Sequence, residues 1–176
     1  MVTELLRTTD ISAGRWILSG DSAGGGLALA VAQQLRDRGD DGPAGLLLTS
    51  PWTDLTLSDP QIPAQEPRDV ILTRDALRRS ALLYADGYAL DDPRISPRYG
   101  EFHGLPPVHL IGAGDDILLS DARALQASIL DAGGEVDYLE QAGAPHDYPI
   151  VIDGASSQWA LRRQIEFVRE RLGIDS

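Results

Sequence analysis

The sequence contains no cysteine, has few basic residues and has no long apolar run. The absence of cysteine excludes disulfides, thiolate chemistry and cysteine-based zinc sites. Only 15 Lys and Arg residues stand against 27 Asp and Glu, which gives a net charge of −12. This balance argues against nucleic acid and anionic membrane surfaces as partners, because both attract basic patches. No apolar segment approaches the length of a membrane span.

The N-terminal residues Met1 to Arg7 show no basic segment followed by an apolar stretch. We therefore predict no secretory signal and expect a cytoplasmic location. The composition that is present, 43 % apolar and 24 % charged residues, is ordinary for a globular protein. A chain of 176 residues is long enough for one domain with one core, so we predict a single domain over residues 1–176.

Short apolar runs alternate with helical patterns along the chain. Three runs are nearly continuous, as expected of strands covered on both faces, whereas the last partly alternates and suits a strand nearer an edge. The predicted strands are Trp16 to Ser19, Gly45 to Thr49, Val108 to Gly112 and Val136 to Leu139. This alternation predicts an α/β fold with a doubly wound parallel sheet and helices on both faces.

Three helices are indicated by apolar residues at helical spacing. The first is predicted to end at Gly39 and the second at Gly133, because glycine commonly ends a helix. The predicted apolar stripes are Leu27, Val31 and Leu35 in the first helix, Ala122, Leu125 and Ile129 in the second, and Leu161, Ile165, Val168 and Leu172 in the third.

The segment from Pro51 to about Leu105 interrupts this rhythm. Six prolines fall between Pro51 and Pro97. One helix is predicted inside it, from about Arg74 to Ala85, with Thr73 as the N-cap. Insertions of this kind lie over the carboxyl ends of strands, where ligands bind. A lid and a loop without function are both compatible with the sequence.

The most informative motif is G-x-S-x-G, at Gly20 to Gly24. It follows a predicted strand and opens a helix, the setting in which this motif forms a nucleophile elbow. Such a turn holds Ser22 in a strained conformation with its hydroxyl in the open. Side chains at Gly20 and Gly24 are expected to collide with the neighbouring strand and helix, so both positions would need glycine. A plain glycine-rich turn is the alternative.

A serine hydroxyl becomes a nucleophile when a base takes its proton, and the usual base is histidine oriented by a carboxylate. The chain has three histidines. His109 lies inside an apolar strand and His103 lies in a loop away from any strand end. His146 follows the last predicted strand, where a catalytic base would be, and is therefore favoured.

The carboxylate is expected at the end of a strand between the serine and the histidine. Asp115 and Asp116 both follow the strand that ends at Gly112, and both are candidates. Asp121 better suits the first turn of a helix, where the helix dipole favours an acid. The resulting order, serine then aspartate then histidine, is that of the α/β-hydrolase arrangement.

Five segments together carry a family resemblance across nearly the whole chain: Gly20 to Gly25, Ser50 to Leu55, Leu105 to Pro107, Asp116 to Leu118 and His146 to Tyr148. With these segments the chain resembles the C-terminal half of an α/β-hydrolase of the hormone-sensitive-lipase-like esterase family. The resemblance implies that Asp116 rather than Asp115 is the catalytic acid. It also implies that Asp21 supports the elbow, and that residues 52–105 include part of a cap over an acyl pocket.

The resemblance further implies a serine carboxylic-ester hydrolase for short to medium acyl esters, with no cofactor and no metal. His146 would deprotonate Ser22, Asp116 would orient the imidazole, and an acyl-enzyme would form and be hydrolysed. The backbone N–H of Ala23 would supply one oxyanion donor. A lactone or amide hydrolase with the same three residues stays open, as does a catalytically silent fragment or interaction module.

The family's His-Gly-Gly-Gly type of oxyanion motif does not occur in residues 1–19. The loss of one oxyanion donor typically costs about 10²–10³ in rate. About four C-terminal strands of an incomplete hydrolase sheet are predicted, which leaves one edge of the first strand free and apolar. We expect a truncated gene product, with a homodimer or a complementing chain as the alternatives that would cover this edge.

Overall fold

A four-stranded parallel sheet forms the centre of the computed structural model, which describes residues 14–174. The strands are β1 (Ile17–Asp21), β2 (Gly45–Thr49), β3 (Val108–Ala113) and β4 (Val136–Gln141). They lie side by side in the order β1-β2-β3-β4, and all three pairings are parallel. The predicted α/β class and parallel sheet are confirmed, as is the edge position of β4. The first strand begins one residue later and ends two residues later than predicted.

Six helices surround the sheet within the described residues: α1 (Ser22–Arg38), α2 (Ile62–Gln65), α3 (Arg74–Ala85), α4 (Leu119–Asp131), α5 (Tyr148–Val151) and α6 (Ala155–Leu172). Gly39 ends α1 as predicted, with a left-handed φ of 67° that only glycine adopts freely. From Gly14 to Ile174, no helix combines the length and the apolar character that crossing a membrane requires.

The main core lies between one face of the sheet and the helices α1 and α4. Leu46 and Leu48 of β2 and Leu110 of β3 point into it and are fully buried. The predicted stripe of α4, Ala122, Leu125 and Ile129, packs against them. On the other face a smaller cluster joins Ile111 of β3 to Tyr148 and to Ala160 of α6. Helices therefore cover both faces, as predicted.

The predicted apolar stripe of α1 was right at Leu35, which is buried, and wrong at Leu27, and the predicted stripe of α6 was wrong. Leu27 is 53 % exposed, because the small residues Gly25 and Gly26 turn inward and bring α1 close to the backbone after β2. In α6, Ile165 is 51 % exposed, because the helix instead turns Ala160 and Phe167 toward the sheet.

The insertion between β2 and β3 has a hydrophobic cluster of its own. Trp52, Leu55 and Leu77 belong to this cluster, which also takes in Ile117 and Leu118 from the loop after β3. Helix α3 has the predicted bounds, and the Thr73 hydroxyl accepts a hydrogen bond from the Ala76 N–H at 3.3 Å. The segment is thus packed onto the loop that carries Asp116. Its role as a cap at residues 52–105 of one domain stays a prediction.

Candidate active site

The loops at the carboxyl ends of the four strands are joined by backbone hydrogen bonds. The N–H of Trp52, after β2, donates to the carbonyl of Ser22, after β1, at 2.8 Å. The N–H of Asp115, after β3, donates to the carbonyl of Ala144, after β4, at 2.9 Å. Ligands of open α/β sheets bind at this edge. The predicted site residues therefore lie on mutually supported loops at that edge.

Ser22 stands at the junction of β1 and α1, where the chain turns sharply. Its φ of 51° lies in the left-handed region, which is uncommon for a residue other than glycine. Asp21 before it is extended and makes no side-chain capping bond to the helix. The support that Asp21 is expected to give the elbow stays a prediction.

The two glycines that flank Ser22 differ in their surroundings. A Cβ atom at Gly20 would lie 2.2 Å from the carbonyl oxygen of Gly24, so no side chain fits there. A Cβ atom at Gly24 would have none of the other described residues within 4 Å of it. The expected collision is therefore found at Gly20 and was wrong for Gly24, because Gly24 is exposed on the outer side of α1.

Asp116 and His146 form a buried pair. His146 Nδ1 lies 2.8 Å from Asp116 Oδ2, and the two side chains are 5 % and 1 % exposed. The other Asp116 oxygen accepts a hydrogen bond from the Leu118 N–H at 2.8 Å. Because a carboxylate can only accept, this contact places a proton on Nδ1, fixes the orientation of the imidazole and leaves Nε2 for another partner.

Asp147 brings a second carboxylate to the same imidazole. Its Oδ2 lies 3.2 Å from His146 Nε2. In the described part of the chain, no hydrogen bond joins the Ser22 hydroxyl to His146. The structure thus brings Asp116 and His146 together and leaves Ser22 unbonded to them. Asp147 was noted in the sequence only as part of the segment His146 to Tyr148, and its contact with the imidazole was not predicted.

The charge state of His146 reflects these two neighbours. Burial lowers the pKa of His146, but its contacts with Asp116 and Asp147 outweigh burial and raise the pKa to about 10. The pKa of Asp147 is raised, chiefly by burial, although His146 acts in the opposite direction. This arrangement favours the protonated form of the imidazole.

Asp121 fixes the start of the insertion from the first turn of α4. Its Oδ2 accepts hydrogen bonds from the backbone N–H groups of Thr53 at 2.7 Å and Asp54 at 2.9 Å. Burial raises the pKa of Asp121 to about 7, even though these hydrogen bonds lower it. The first-turn position of Asp121 was predicted correctly, whereas its contact with the segment after β2 was not predicted.

An apolar cavity of about 260 Å³ opens beside the residue that follows Ser22. It lies between the outer side of α1 and the insertion, and most of its wall is hydrocarbon. The lining residues are Ala23, Gly24, Gly26, Leu27, Ala30, Trp52, Leu55, Ser80, Tyr84 and Ile95. Its polar groups are few, which suits an alkyl chain better than a charged ligand.

The other candidates from the sequence lie apart from this site. His109 is buried in β3, with its Nδ1 2.9 Å from Asp137 Oδ2, and burial lowers its pKa more than Asp137 raises it. His103 is exposed in a loop. Asp115 pairs with Arg68 of the insertion. Between residues 14 and 174, no group of three or more His, Asp or Glu side chains is arranged to hold a metal ion.

Comparisons with known proteins agree with this architecture. The sequence model of a family described as alpha/beta hydrolase fold matches residues 2–150. An acetyl-hydrolase of Streptomyces hygroscopicus is 40 % identical over 127 residues, which are 72 % of this chain and 42 % of that protein. An esterase of Acinetobacter venetianus is 34 % identical over 123 residues, 69 % of this chain and 41 % of that protein.

A solved structure has the same arrangement over nearly the whole chain. It is an esterase from the bacterial hormone-sensitive lipase family, similar with a TM-score of 0.91 at 30 % identity. The match covers 97 % of this chain and 58 % of that one. The chain spans less than half the length of the two curated relatives.

Proposed function

Because the chain belongs to the alpha/beta hydrolase fold family and its structural neighbours include esterases of the hormone-sensitive lipase family, we propose that it carries the catalytic residues of a serine carboxylic-ester hydrolase. The observation that carries this proposal is the buried pair of His146 and Asp116, 2.8 Å apart, at the same edge of the sheet as Ser22. Two side chains of this kind, on loops joined by backbone hydrogen bonds, suit a base and its orienting acid.

In the proposed reaction, Ser22 Oγ attacks the ester carbonyl carbon and its proton passes to His146 Nε2. The bond from the carbonyl carbon to the alcohol oxygen then breaks, and His146 gives the proton to that oxygen. Water next attacks the acyl-enzyme, and His146 takes a proton from it. The bond to Ser22 Oγ breaks, the proton returns to Oγ, and the acid leaves. Asp116 stabilises the imidazolium in both halves.

The N-terminus of α1 favours negative charge at the reacting oxygen. The first N–H groups of a helix have no partner within the helix, and the helix dipole adds to their attraction for an anion. We propose the N–H of Ala23 as one oxyanion donor. The tight turn at Gly20 keeps this N–H and the Ser22 hydroxyl close together on one short segment. Asp21 and Gly24 are the remaining residues of the proposed elbow.

The apolar cavity supports an alkyl or acyl group as the part of the substrate that is recognised. Its volume of about 260 Å³ and its position beside Ala23 suit the acyl chain of a short to medium ester. The proposed partner is therefore a small-molecule ester. The predictions of a cytoplasmic location and of no nucleic-acid partner stay predictions.

The proposal is tested by labelling with a fluorophosphonate probe, which reacts with an activated serine. We expect the chain to be labelled at Ser22 and Ser22→Ala to lose the label. Ser156→Ala, at an exposed position on α6, is the matched control and is expected to label as the parent does. Hydrolysis of p-nitrophenyl acetate and butyrate is measured in parallel. A well-folded chain in which Ser22→Ala changes neither readout would contradict the proposal.

A second role, as a module that pairs with another polypeptide, is favoured by two surface features. Within residues 14–174, β1 has a strand partner on one side only. Leu161 and Ile165 also leave an apolar stripe exposed on α6. A complementing chain or a second copy would cover these surfaces. Light scattering over a range of concentrations tests for the second copy, and Ile165→Glu is expected to weaken any association that uses α6.

A further inference from the structure

Asp147 is a second acidic neighbour of the proposed base, and we propose that it is a positioning residue that holds His146 in a form unable to accept a proton. This inference rests on the proposed function, because it concerns the nitrogen that would serve Ser22. In the observed arrangement, His146 Nε2 faces Asp147 Oδ2 at 3.2 Å and makes no hydrogen bond to Ser22 in the described part of the chain.

The main chain fixes Asp147 in the conformation that turns its side chain back onto the ring. Its φ of 54° and ψ of 32° are left-handed, a region that Asp and Asn enter more readily than most residues. Its N–H donates to Ser50 Oγ at 3.2 Å. Its carbonyl accepts from the N–H groups of Ile150 at 2.9 Å and Val151 at 3.1 Å. The backbone is therefore held on both sides of the side chain.

Apart from His146, the Asp147 carboxylate has few polar groups to interact with in the described residues. The side chain is 11 % exposed. Its Oδ1 is buried and has no hydrogen-bond partner among residues 14–174. A buried carboxylate with one unpartnered oxygen is costly unless an opposite charge lies beside it. The imidazolium of His146 supplies that charge, so the contact favours the protonated ring.

The wider surroundings act in the same direction. Carboxylates of two other elements act on this pair. These groups are Asp21 at the end of β1 and Asp116 after β3. An excess of negative charge stabilises a cationic ring between Asp116 and Asp147.

As a consequence, His146 can act as a base only after its contact with Asp147 is broken or the Asp147 charge is removed. An imidazolium keeps the proton on Nε2 and cannot take another from Ser22. Rotation of the Asp147 side chain about χ1 would move its carboxylate away from Nε2 while the main chain keeps its hydrogen bonds. Neutralisation of the carboxylate has the same effect. Asp147 therefore restrains the base, while Asp116 orients it.

The experiment is a titration of the histidine ring protons by NMR in the full chain, which needs no turnover. Asp147→Asn removes the charge and keeps a residue type that tolerates the left-handed backbone. We expect the midpoint of His146 to fall by about one unit or more. Asp86→Asn is the matched control, since Asp86 is an exposed aspartate with a left-handed φ of 44°. Asp147→Gly, which also tolerates a positive φ, replaces Asp147→Asn if that variant does not fold.

A His146 midpoint in Asp147→Asn equal to that of the parent chain would overturn the proposal. The rate of fluorophosphonate labelling gives a second readout. The neutral fraction of the ring grows about tenfold for each unit by which its pKa falls, so Asp147→Asn is expected to label several-fold faster at pH 7. Labelling that is slower or unchanged in Asp147→Asn overturns the proposal. If neither chain is labelled, the proposed function fails, and the titration alone decides the role of Asp147.

Discussion

The carboxylate of Asp69 accepts a hydrogen bond from the backbone N–H of Ile117 at 2.9 Å, and this bond ties the insertion to the loop that carries Asp116. The other oxygen of Asp69 accepts from the N–H groups of Ile71 and Leu72, each at 2.8 Å. One side chain thus satisfies three donors in two segments. The position of the proposed acid depends on the insertion as well as on β3.

Asp69→Ala is expected to destabilise the chain by about 1–3 kcal/mol, because three backbone donors lose their acceptor. The measurement is the free energy of unfolding in urea. Asp59→Ala is the control, since Asp59 accepts from Gln61 in the same way but its side chain reaches no second segment. Equal losses in the two variants would show that the bond to Ile117 contributes nothing.

Substitutions at the two glycines of the elbow are expected to act in opposite directions. Gly20→Ala would place Cβ 2.2 Å from the Gly24 carbonyl, so we expect a loss of about 1–3 kcal/mol from forced shifts of the backbone. Gly24→Ala has room for its Cβ inside a helix, and we expect no loss or a gain of about 0.5–1 kcal/mol. Thermal unfolding of both variants checks this, and a larger loss for Gly24→Ala would contradict it.

Asp121 predicts a specific dependence of stability on pH. Its pKa is about 7 in the folded chain against an ordinary value of 3.8, so the folded state binds this proton more tightly than the unfolded state. Its contribution to stability is therefore fully present below pH 4 and is lost as the pH rises through 7. The loss is on the order of a few kcal/mol at most.

Asp121→Asn is expected to remove this dependence, because the amide oxygen still accepts from Thr53 and Asp54 without a charge. Relative to the parent, the variant should gain stability steadily between pH 4 and pH 7. Urea unfolding across this range is the measurement, with Asp131→Asn, at the exposed end of the same helix, as the control. If the stability of the parent and of Asp121→Asn changed with pH in parallel, the charge of Asp121 would not be the cause of the parent's pH dependence.

The proposed acyl cavity predicts a shift in chain-length preference. Ser80 lines the cavity from α3 and is exposed, so Ser80→Leu fills space without burying a new polar group. We expect alkyl fluorophosphonates with longer chains to label Ser22 several-fold more slowly in this variant, while short ones are unaffected. Arg78→Leu, on the same helix but outside the cavity, is the control. If Ser80→Leu changed the labelling rate equally for all alkyl chain lengths, the alkyl group would not lie in this cavity.

Sequence patterns predicted correctly those elements whose bounds are set by residues close to them in the sequence. Strand β2 is an unbroken apolar run between turn residues, and α3 begins with a Thr73 cap, so both were predicted with the observed bounds. The buried face of α6 was predicted wrongly, and that of α1 was wrong at Leu27, because the largest apolar residues were taken as the inward ones. In α1, the close approach of Gly26 to the Trp52 carbonyl decides the face, and that contact joins segments distant in sequence.

The sequence indicated candidate residues for the site, but it did not indicate how their side chains are arranged. The neighbourhood of His146 could be inferred from strand ends, and the observed contact with Asp116 agrees with that inference. The approach of Asp147 to Nε2 depends on a positive φ and on the bond to Ser50, neither of which the residue types dictate. The space beside Gly24 likewise depends on which elements pack there, and a five-residue motif does not encode this.

The hydrogen bond from the Trp52 N–H to the Ser22 carbonyl also connects the wall of the cavity to the turn at Ser22. Trp52 lines the cavity, and its backbone N–H donates to the carbonyl oxygen of Ser22 at 2.8 Å. Because one residue takes part in both, an occupant that displaces Trp52 would also act on the turn that carries the Ser22 hydroxyl. We therefore expect an alkyl chain too long for the cavity to shift the Ser22 oxygen as well as to fit poorly.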